Sequence, residues 1–382
     1  MTPALTIAAM SASAADGHGA ESAPVLRIDL DVVRANYAEL RRRYRGTVLA
    51  AVLKSDAYGL GLEPIAAALA ASGCRDFWVN DLDEARRLRA TLAGARIHCL
   101  MGLAGGHVRD FEHAAAVPAL VSLAEIEHCA RHAARDDRRI AVAVQLDTGL
   151  GRLGLGADEV AFLARTPELL AGLDIRCYVS HLAAYNLPEE PSNDAQRRLL
   201  ERLVALLPAA PVSLAASSGV YMGEDWHYDI ARVGSALFGV QTSIHPQEGL
   251  RPCYELSAPI LTIGEHPAGR RVGYRGVTEL RRHSRIATTA IGYANGLPQG
   301  YMNVGAARIG GHVAPLVGGI AMNMTMLDIT DIPAAFPLTG ARAIFLDAAQ
   351  PIEHIADQLG CAPNAILTQI GAGTRKTYSG GA

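Results

Sequence analysis

Short apolar runs alternate with amphipathic stretches from about residue 46 to residue 242 of the chain. Apolar runs of this length predict β-strands, and the stretches between them predict helices such as EPIAAALAAS (63–72), closed by Gly73, and DEARRLRATLAG (83–94). The predicted strands are TVLAAVLK (47–54), DFWVN (76–80), RIHCLMG (96–102), PALVS (118–122), IAVAVQLD (140–147), IRCYVS (175–180), PVSLAAS (211–217) and SALFGV (235–240). Eight such βα units are the number that a (β/α)8 TIM barrel needs, although the pattern alone also permits an open doubly wound sheet.

The rhythm of the sequence changes after Gly249. Residues 250–382 lack long helical periodicity and contain short apolar runs separated by turns, at APILTIG, RIATTAIGY, ARIGGHVAPLVGG, AMNMTMLDIT and ARAIFLD. One helix is predicted in this part, at PIEHIADQLG (351–360). The sequence therefore predicts an α/β chain with a (β/α)8 barrel over 24–245 and a C-terminal β domain over 246–382.

The first 23 residues precede both predicted domains. MTPALTIAAMSASAADG contains a short apolar stretch followed by small residues, as a signal peptide does, but no Lys or Arg stands before that stretch. We therefore expect a disordered tail over 1–23, with export by a signal peptide as the weaker alternative.

Composition narrows the class of protein. Of the 382 residues, 50% are hydrophobic and 19% are charged, which is typical of a folded enzyme. The net charge of −3 and the short basic runs give no reason to expect nucleic acid or a membrane surface as a partner. No apolar run reaches the roughly 20 residues that a membrane helix needs. The six cysteines form no C-x-x-C pair, which argues against a metal site and fits a reducing, cytoplasmic location.

Lys54 is the first candidate for chemistry. It ends the apolar run AAVLK and is followed by polar SDAYG. A lysine at the carboxyl end of a barrel strand points to the face where barrel enzymes keep their active sites. Partial burial there lowers the pKa of a lysine and gives the neutral amine that forms an imine with an aldehyde cofactor. Taken alone, the position also fits a lysine that extends along apolar surface to water.

The neighbourhood of Lys54 resembles the cofactor-lysine segment of the alanine racemase family, the fold type III pyridoxal-phosphate enzymes. Seven segments resemble this family and occur in its order: AVLKSDAYGLG (51–61), DTGLGRLGL (147–155), SHLAAYN (180–186), DWHYDIARVGSALFGV (225–240), VGYRG (272–276), IGYANGLPQ (291–299) and AMNMTMLDIT (321–330). The resemblance covers about 25–378 of the chain. It implies a pyridoxal-phosphate-dependent racemase that interconverts L- and D-alanine, and a head-to-tail homodimer with shared active sites.

The resemblance implies two catalytic bases. Lys54 would hold the cofactor as a Schiff base and act on one face of the substrate α-carbon, while Tyr274 of the partner subunit would act on the opposite face. Racemisation needs a base on each face, since one removes the α-proton and the other returns it. The pKa of an isolated tyrosine is about 10. The phenol therefore needs a hydrogen-bonded partner, and His181 matches the family's histidine in that network.

The remaining site residues are implied in the same way. Arg232 matches the arginine that donates to the pyridine nitrogen, which leaves that nitrogen unprotonated and limits charge delocalisation into the ring. Arg152 matches the arginine at the cofactor's phenolic oxygen and suits a substrate carboxylate. Met322 matches a substrate contact from the partner subunit, and Tyr293 an entrance tyrosine. The implied phosphate ligands are Tyr58, Ser217, Gly234 and Ser235. No metal is expected.

Three positions in or near these segments depart from the family pattern. Gln145 stands where many relatives carry a lysine that becomes carbamylated and braces the arginine matched by Arg152. Asn323 stands where Asp is usual, and Ala216 replaces a common Asn. Because glutamine cannot be carbamylated, we expect its neutral amide or a bound chloride to take over that task.

The C-terminal segment IGAGTRKTY (370–378) carries the last departure. Relatives often supply a tyrosine here, beside phosphate and substrate, whereas a small residue, Ala372, stands in this chain. The missing ring predicts a wider pocket and hence a racemase of a larger amino acid such as serine. The sequence also leaves open a decarboxylase of the same fold, a cofactor carrier on the same barrel, and a Schiff-base aldolase.

Overall fold

The computed structural model describes residues 23–302, 304–336, 338 and 340–381. The predicted disordered tail lies outside the described residues, apart from its last residue. Within the described part of the chain, no helix is long and apolar enough to cross a membrane.

Eight parallel strands form the barrel, each neighbour in the sheet paired with the next. They are β2 (Val48–Val52), β3 (Asp76–Val79), β4 (Arg96–Cys99), β5 (Ala116–Leu120), β6 (Ile140–Gln145), β7 (Leu173–Val179), β8 (Val212–Ser213) and β9 (Ile230–Val233), in the spatial order β8-β7-β6-β5-β4-β3-β2-β9. The N–H of Arg232 donates to the carbonyl of Ala215 at 2.9 Å and joins the two ends of this order. The predicted barrel is therefore confirmed.

The helices that cover the barrel begin where the sequence places good capping residues. Asp29, Asp81 and Ser122 accept hydrogen bonds from backbone N–H groups of the first helical turn that follows each of them. The helices are α1 (Leu30–Arg43), α3 (Leu62–Ala71), α4 (Leu82–Thr91), α5 (Val108–His113), α6 (Leu123–Asp136), α7 (Ala157–Arg165), α8 (Glu168–Ala171) and α9 (Pro191–Val204), and α2 (Lys54–Tyr58) is a left-handed turn.

One predicted strand is wrong. SALFGV (235–240) forms a short 3-10 helix over Ser235–Phe238, and the last barrel strand is the preceding β9. The chain leaves the sheet at Gly234, because Ser217 Oγ accepts the N–H groups of Gly234 and Ala236 at 3.0 and 3.2 Å. The apolar side chains after that turn are buried against the barrel helices instead of a strand neighbour.

A second sheet lies outside the barrel. Its order is β13-β16-β15-β14-β17-β10-β1-β18, and β10 also pairs with β13. The strands are β1 (Val25–Asp29), β10 (Tyr254–His266), β13 (Ser284–Thr289), β14 (Ala306–Ile309), β15 (His312–Val317), β16 (Thr325–Asp328), β17 (Arg342–Leu346) and β18 (Arg375–Ser379), and a separate hairpin joins β11 (Arg271–Val272) to β12 (Thr278–Glu279). The predicted C-terminal β domain is therefore present.

Both ends of the described chain meet in this second sheet. β1 belongs to the segment predicted as barrel, yet it pairs antiparallel with β10 and parallel with β18. Two helices follow β17: α10 (Ile352–Leu359), close to the predicted 351–360, and α11 (Pro363–Gly373), which was not predicted. α11 packs against the left-handed turn α2, so the β domain contributes to the rim of the barrel.

Candidate active site

A cavity of about 750 Å³ opens at the carboxyl ends of the barrel strands. Side chains from the ends of several strands line it, as expected of a barrel active site. Among them are all the barrel residues that the sequence suggested: Lys54, Tyr58, Arg152, His181, Ser217, Arg232, Gly234 and Ser235. The barrel therefore brings these eight residues to one place within a single chain.

Lys54 enters this cavity from an unusual backbone. The four residues after it, Ser55–Tyr58, have φ angles between 53° and 58° in the left-handed region. This conformation costs about 1–2 kcal/mol per non-glycine residue. Hydrogen bonds offset part of that cost, since Glu84 accepts the N–H of Asp56 at 2.8 Å and Arg87 donates to the carboxylate of Asp56 at 2.6 Å. The turn lets Lys54 and Tyr58 both face the cavity.

The charges around Lys54 favour its neutral amine. Burial lowers the pKa of Lys54, and the nearby positive charges of Arg152 and Arg232 lower it further, while Glu84 acts in the opposite direction. Burial also lowers the pKa of His181 to about 3, with the same two arginines and Lys54 adding to the effect. At neutral pH, His181 is therefore an uncharged imidazole.

Arg232 is held deep in the barrel. Its side chain is 6% exposed, and its guanidinium donates to the carbonyls of Ser213 at 3.0 Å and Ser180 at 2.6 Å, and to Ser213 Oγ. Burial lowers the pKa of Arg232 to about 10, which still leaves it charged at neutral pH. A fixed cationic donor thus lies in the wall of the cavity.

Ser217, Tyr58 and Gly234 form a small polar cradle beside Arg232. Ser217 Oγ accepts two backbone N–H groups, so its own hydrogen is left to donate to a ligand. A Cβ at Gly234 would lie 2.2 Å from Tyr58 Oη, so any larger residue there would displace the phenol. Burial raises the pKa of Tyr58, which keeps the phenol a hydrogen-bond donor. The cradle suits a phosphate group.

Arg152 and Gln145 line the same cavity. Arg152 is exposed, on the loop that follows β6. Asp147 supports this loop by accepting the N–H groups of Gly149 and Gly151 at 2.9 and 3.1 Å. An exposed guanidinium that lines a cavity suits the carboxylate of an incoming ligand.

Three suggested site residues lie elsewhere. Tyr274, Tyr293 and Met322 belong to the β domain and are 73%, 40% and 56% exposed. They are absent from the cavity lining among the described residues. Tyr293 and Met322 are close to each other, since the N–H of Ala294 donates to the carbonyl of Met322 at 2.9 Å. A single chain therefore does not bring these three side chains to Lys54.

The structure does not support the wider-pocket argument from Ala372. Ala372 is exposed on α11 and does not line the cavity, where the wall from this helix is Asn364, Ala365, Thr368 and Gln369. The close packing on the inner side of α11 belongs to Gly371, whose Cβ would lie 2.2 Å from the carbonyl oxygen of Gly59. Sequence reasoning missed these wall residues because it missed α11. The proline at the first helical position was the available signal.

Comparison with known proteins covers nearly the whole chain. The family model described as alanine racemase, N-terminal domain, matches residues 28–242, and the model of the alanine racemase C-terminal domain matches residues 253–378. The alanine racemase of Acidiphilium cryptum (strain JF-5) is 41% identical over 355 residues, which are 92% of this chain and 98% of that protein. The catabolic alanine racemase of Agrobacterium fabrum is 36% identical and covers 96% of this chain and 93% of its own.

A solved structure gives the same result at the level of the fold. The crystal structure of alanine racemase from Bartonella henselae with covalently bound pyridoxal phosphate superposes with a TM-score of 0.90 at 32% identity. The alignment covers 94% of this chain and 100% of that one.

Proposed function

This chain belongs to the alanine racemase family, and from that premise we propose that it interconverts L- and D-alanine with pyridoxal phosphate held by Lys54. The observation that carries the proposal is the position of Lys54: a lysine with a lowered pKa, facing a cavity that it shares with two arginines and a polar cradle. The match to the racemase C-terminal domain favours a racemase over a decarboxylase.

The residues of the cavity fit the cofactor. Tyr58 and Ser217 have hydroxyl hydrogens to donate to a phosphate, and the missing side chain at Gly234 leaves room for it. Arg232 would donate to the pyridine nitrogen, and its permanent charge opposes protonation there. When bound, pyridoxal phosphate supplies an aldehyde for the amine and a ring that withdraws electrons from the substrate α-carbon.

Proton transfer needs two groups on opposite sides of the substrate. Lys54 would accept and return the α-proton on one face, since its lowered pKa provides the neutral amine. Tyr274 of the partner subunit would do the same on the other face. The uncharged His181 accepts as well as donates hydrogen bonds, so it suits the role of partner to that phenol. Arg152 would bind the substrate carboxylate.

The exposed face of the β domain supports a head-to-tail dimer. Tyr274 and Val277 are exposed three residues apart, and Tyr293, Met322 and Met324 are exposed on neighbouring segments of the same domain. Clustered exposed apolar side chains mark interfaces. In a head-to-tail pair, the β domain of one subunit would cover the barrel rim of the other. The two halves of each active site would then come from different chains. The free thiols of all six cysteines agree with the cytoplasmic location that we expect.

The proposal is tested with purified protein, L-alanine or D-alanine, and chiral analysis of the products. We expect either enantiomer to become a racemic mixture, and the protein to carry a visible absorption band that Lys54→Ala abolishes. L-serine is assayed in parallel to test the alternative of a larger substrate, which Ala372 does not support because it lies outside the cavity lining. A protein that cannot be loaded with pyridoxal phosphate, or that leaves both enantiomers of alanine unchanged, would contradict the proposal.

A further inference from the structure

Arg232 is a buried cation that has only neutral partners. Its side chain is 6% exposed, and the groups that accept its hydrogen bonds belong to Ser213 and Ser180. Among the described residues, no carboxylate forms an ion pair with it. A buried charge is unfavourable unless its surroundings compensate it. The serine oxygens accept hydrogen bonds at the edge of the guanidinium and compensate part of its charge there. The flat face of the guanidinium remains available for contact with other groups.

Trp78 covers that face. Arg232 Cζ lies 5.6 Å from the centre of the indole ring, within the range of a cation–π interaction. Trp78 is itself 1% exposed and points into the barrel from β3. Because water is excluded from this place, the attraction between the cation and the ring is stronger than it would be on the surface.

The interior of the barrel is shaped so that Trp78 reaches Arg232. Arg232 on β9 pairs with Ala50 on β2, and Val52 of β2 pairs with Trp78 on β3. The small side chain of Ala50, on the strand between them, leaves space for the indole. Two further alanines, Ala119 and Ala143, belong to the same interior cluster. A larger residue at Ala50 would separate the ring from the guanidinium.

His98 fixes the plane of the indole. It lies on β4, on the other side of β3 from Arg232, and its ring stacks on Trp78 with centres 4.3 Å apart and an angle of 11° between the planes. Burial lowers the pKa of His98 to about 4, so the imidazole adds no positive charge near Arg232 at neutral pH. The indole of Trp78 therefore lies between the neutral ring of His98 and the cation of Arg232.

We infer that Trp78 is a positioning residue for Arg232: its ring holds the guanidinium in the orientation in which one N–H points at the pyridine nitrogen of the cofactor. The inference rests on the proposed function, because that contact of Arg232 belongs to it. Trp78 touches neither cofactor nor substrate in this role. Its effect is to make the bond between Arg232 and the ring nitrogen stronger than the serine contacts alone allow.

The test compares two ligands on the full-length protein after its cofactor has been removed. Pyridoxal phosphate offers the ring nitrogen as an acceptor, whereas its 1-deaza analogue carries a C–H group at that position. The measured quantity is the ratio of the two dissociation constants, analogue over cofactor. Trp78→Leu removes the aromatic face, and Trp78→Phe keeps a smaller one. Phe77→Leu is the matched control, because Phe77 is the buried neighbour on the same strand and packs outside the barrel interior.

We expect the ratio to be well above one in the wild type, since the analogue leaves a buried donor of Arg232 unsatisfied. In Trp78→Leu, the ratio falls by about fivefold. In Trp78→Phe it falls less, and in Phe77→Leu it stays at the wild-type value. A change in general stability alone would weaken both ligands together and would leave the ratio unchanged.

An unchanged ratio in Trp78→Leu overturns the inference, and so does an equal fall in Phe77→Leu. If Trp78→Leu does not fold, Trp78→Met takes its place, because the flexible methionine fills the space without an aromatic face. A wild type that binds both ligands equally well contradicts the contact between Arg232 and the ring nitrogen. That result is a failure of the proposed function and is distinguishable from a failure at Trp78.

Discussion

The rim of the barrel and the exposed face of the β domain contribute to the proposed site in different ways. Side chains from the barrel strand ends converge on one cavity within a single chain. Tyr274, Tyr293 and Met322 of the β domain are exposed and lie outside that cavity lining. Under the proposed function, one chain would hold the cofactor, while racemisation would require Tyr274 of a second chain. Substitutions in the two regions should separate the two properties.

The largest effect is expected at Lys54. Lys54→Ala removes both the covalent anchor and one base, so the racemisation rate should fall by at least about 10⁴-fold. The chain has two lysines, Lys54 and Lys376, which makes a direct assignment possible. Borohydride reduction of the loaded protein followed by peptide mass analysis should find the cofactor on Lys54.

Lys376→Met is the matched control for that experiment. Lys376 Nζ donates to the carbonyl of Gly371 at 2.9 Å, away from the cavity lining. This variant should keep both the absorption band and the label on Lys54. Cofactor found on Lys376 of the wild type would refute the assignment of the anchor.

Tyr274→Phe should separate the two regions next. The rate should fall by about 10²–10⁴-fold because one base is lost, while the affinity for pyridoxal phosphate stays that of the wild type. Exchange of the α-proton in deuterium oxide should be impaired more for one enantiomer than for the other. An equal loss in both directions would contradict the assignment of one base to each face.

Mixing the two inactive variants tests whether the site is shared. A mixed dimer of Lys54→Ala and Tyr274→Phe chains has one site with both lesions and one site with none. Random mixing should therefore restore about a quarter of the wild-type activity. Mass analysis verifies that the subunits have exchanged. If activity does not recover after that exchange, each chain supplies its own tyrosine.

A smaller effect is expected in the phosphate cradle of the barrel rim. Gly234→Ala places a methyl group against Tyr58 Oη and should weaken pyridoxal phosphate by about tenfold to a hundredfold. Pyridoxal, which lacks the phosphate, should bind nearly as it does to the wild type. Gly94→Ala, where the added carbon meets nothing within 4 Å, serves as the control. Equal losses for both ligands would place the phosphate elsewhere.

The smallest effect concerns the stability of the protein without cofactor. Burial and two arginines lower the pKa of Lys54 in the folded chain below its ordinary value of 10.5. At pH values between the pKa of Lys54 in the folded chain and its pKa in the unfolded chain, the unfolded chain binds more protons. The free energy of unfolding should therefore rise with pH in this range, by less than about 1.4 kcal/mol per pH unit. This rise should be missing in Lys54→Met. Urea unfolding of the wild type and of Lys54→Met at several pH values measures this rise as the difference between their free energies of unfolding. If the two free energies change with pH in parallel, the pKa of Lys54 is not lowered.

The sequence predicted the architecture well where long patterns carry it. The alternation of apolar runs and amphipathic stretches predicted the barrel and the change to a β domain, and the motif order predicted residues that the structure places around one cavity. The prediction of a strand at SALFGV was wrong because its apolar run has the pattern of a strand, whereas hydrogen bonds to Ser217 turn the chain at Gly234. The argument that Ala372 widens the pocket is not supported, because Ala372 lies on the exposed face of α11. Its neighbour Gly371 is the residue that packs against Gly59.

The sequence by itself determined the family and the two-part fold and pointed to Lys54 as the proposed cofactor lysine, because periodicity and motifs depend on residues that are close together along the chain. Only the tertiary structure decided the left-handed turn after Lys54, the pairing of β1 with the C-terminal sheet, and the contact of Trp78 with Arg232. These features depend on residues that are distant along the chain, and their energies arise from burial and packing that no single segment contains.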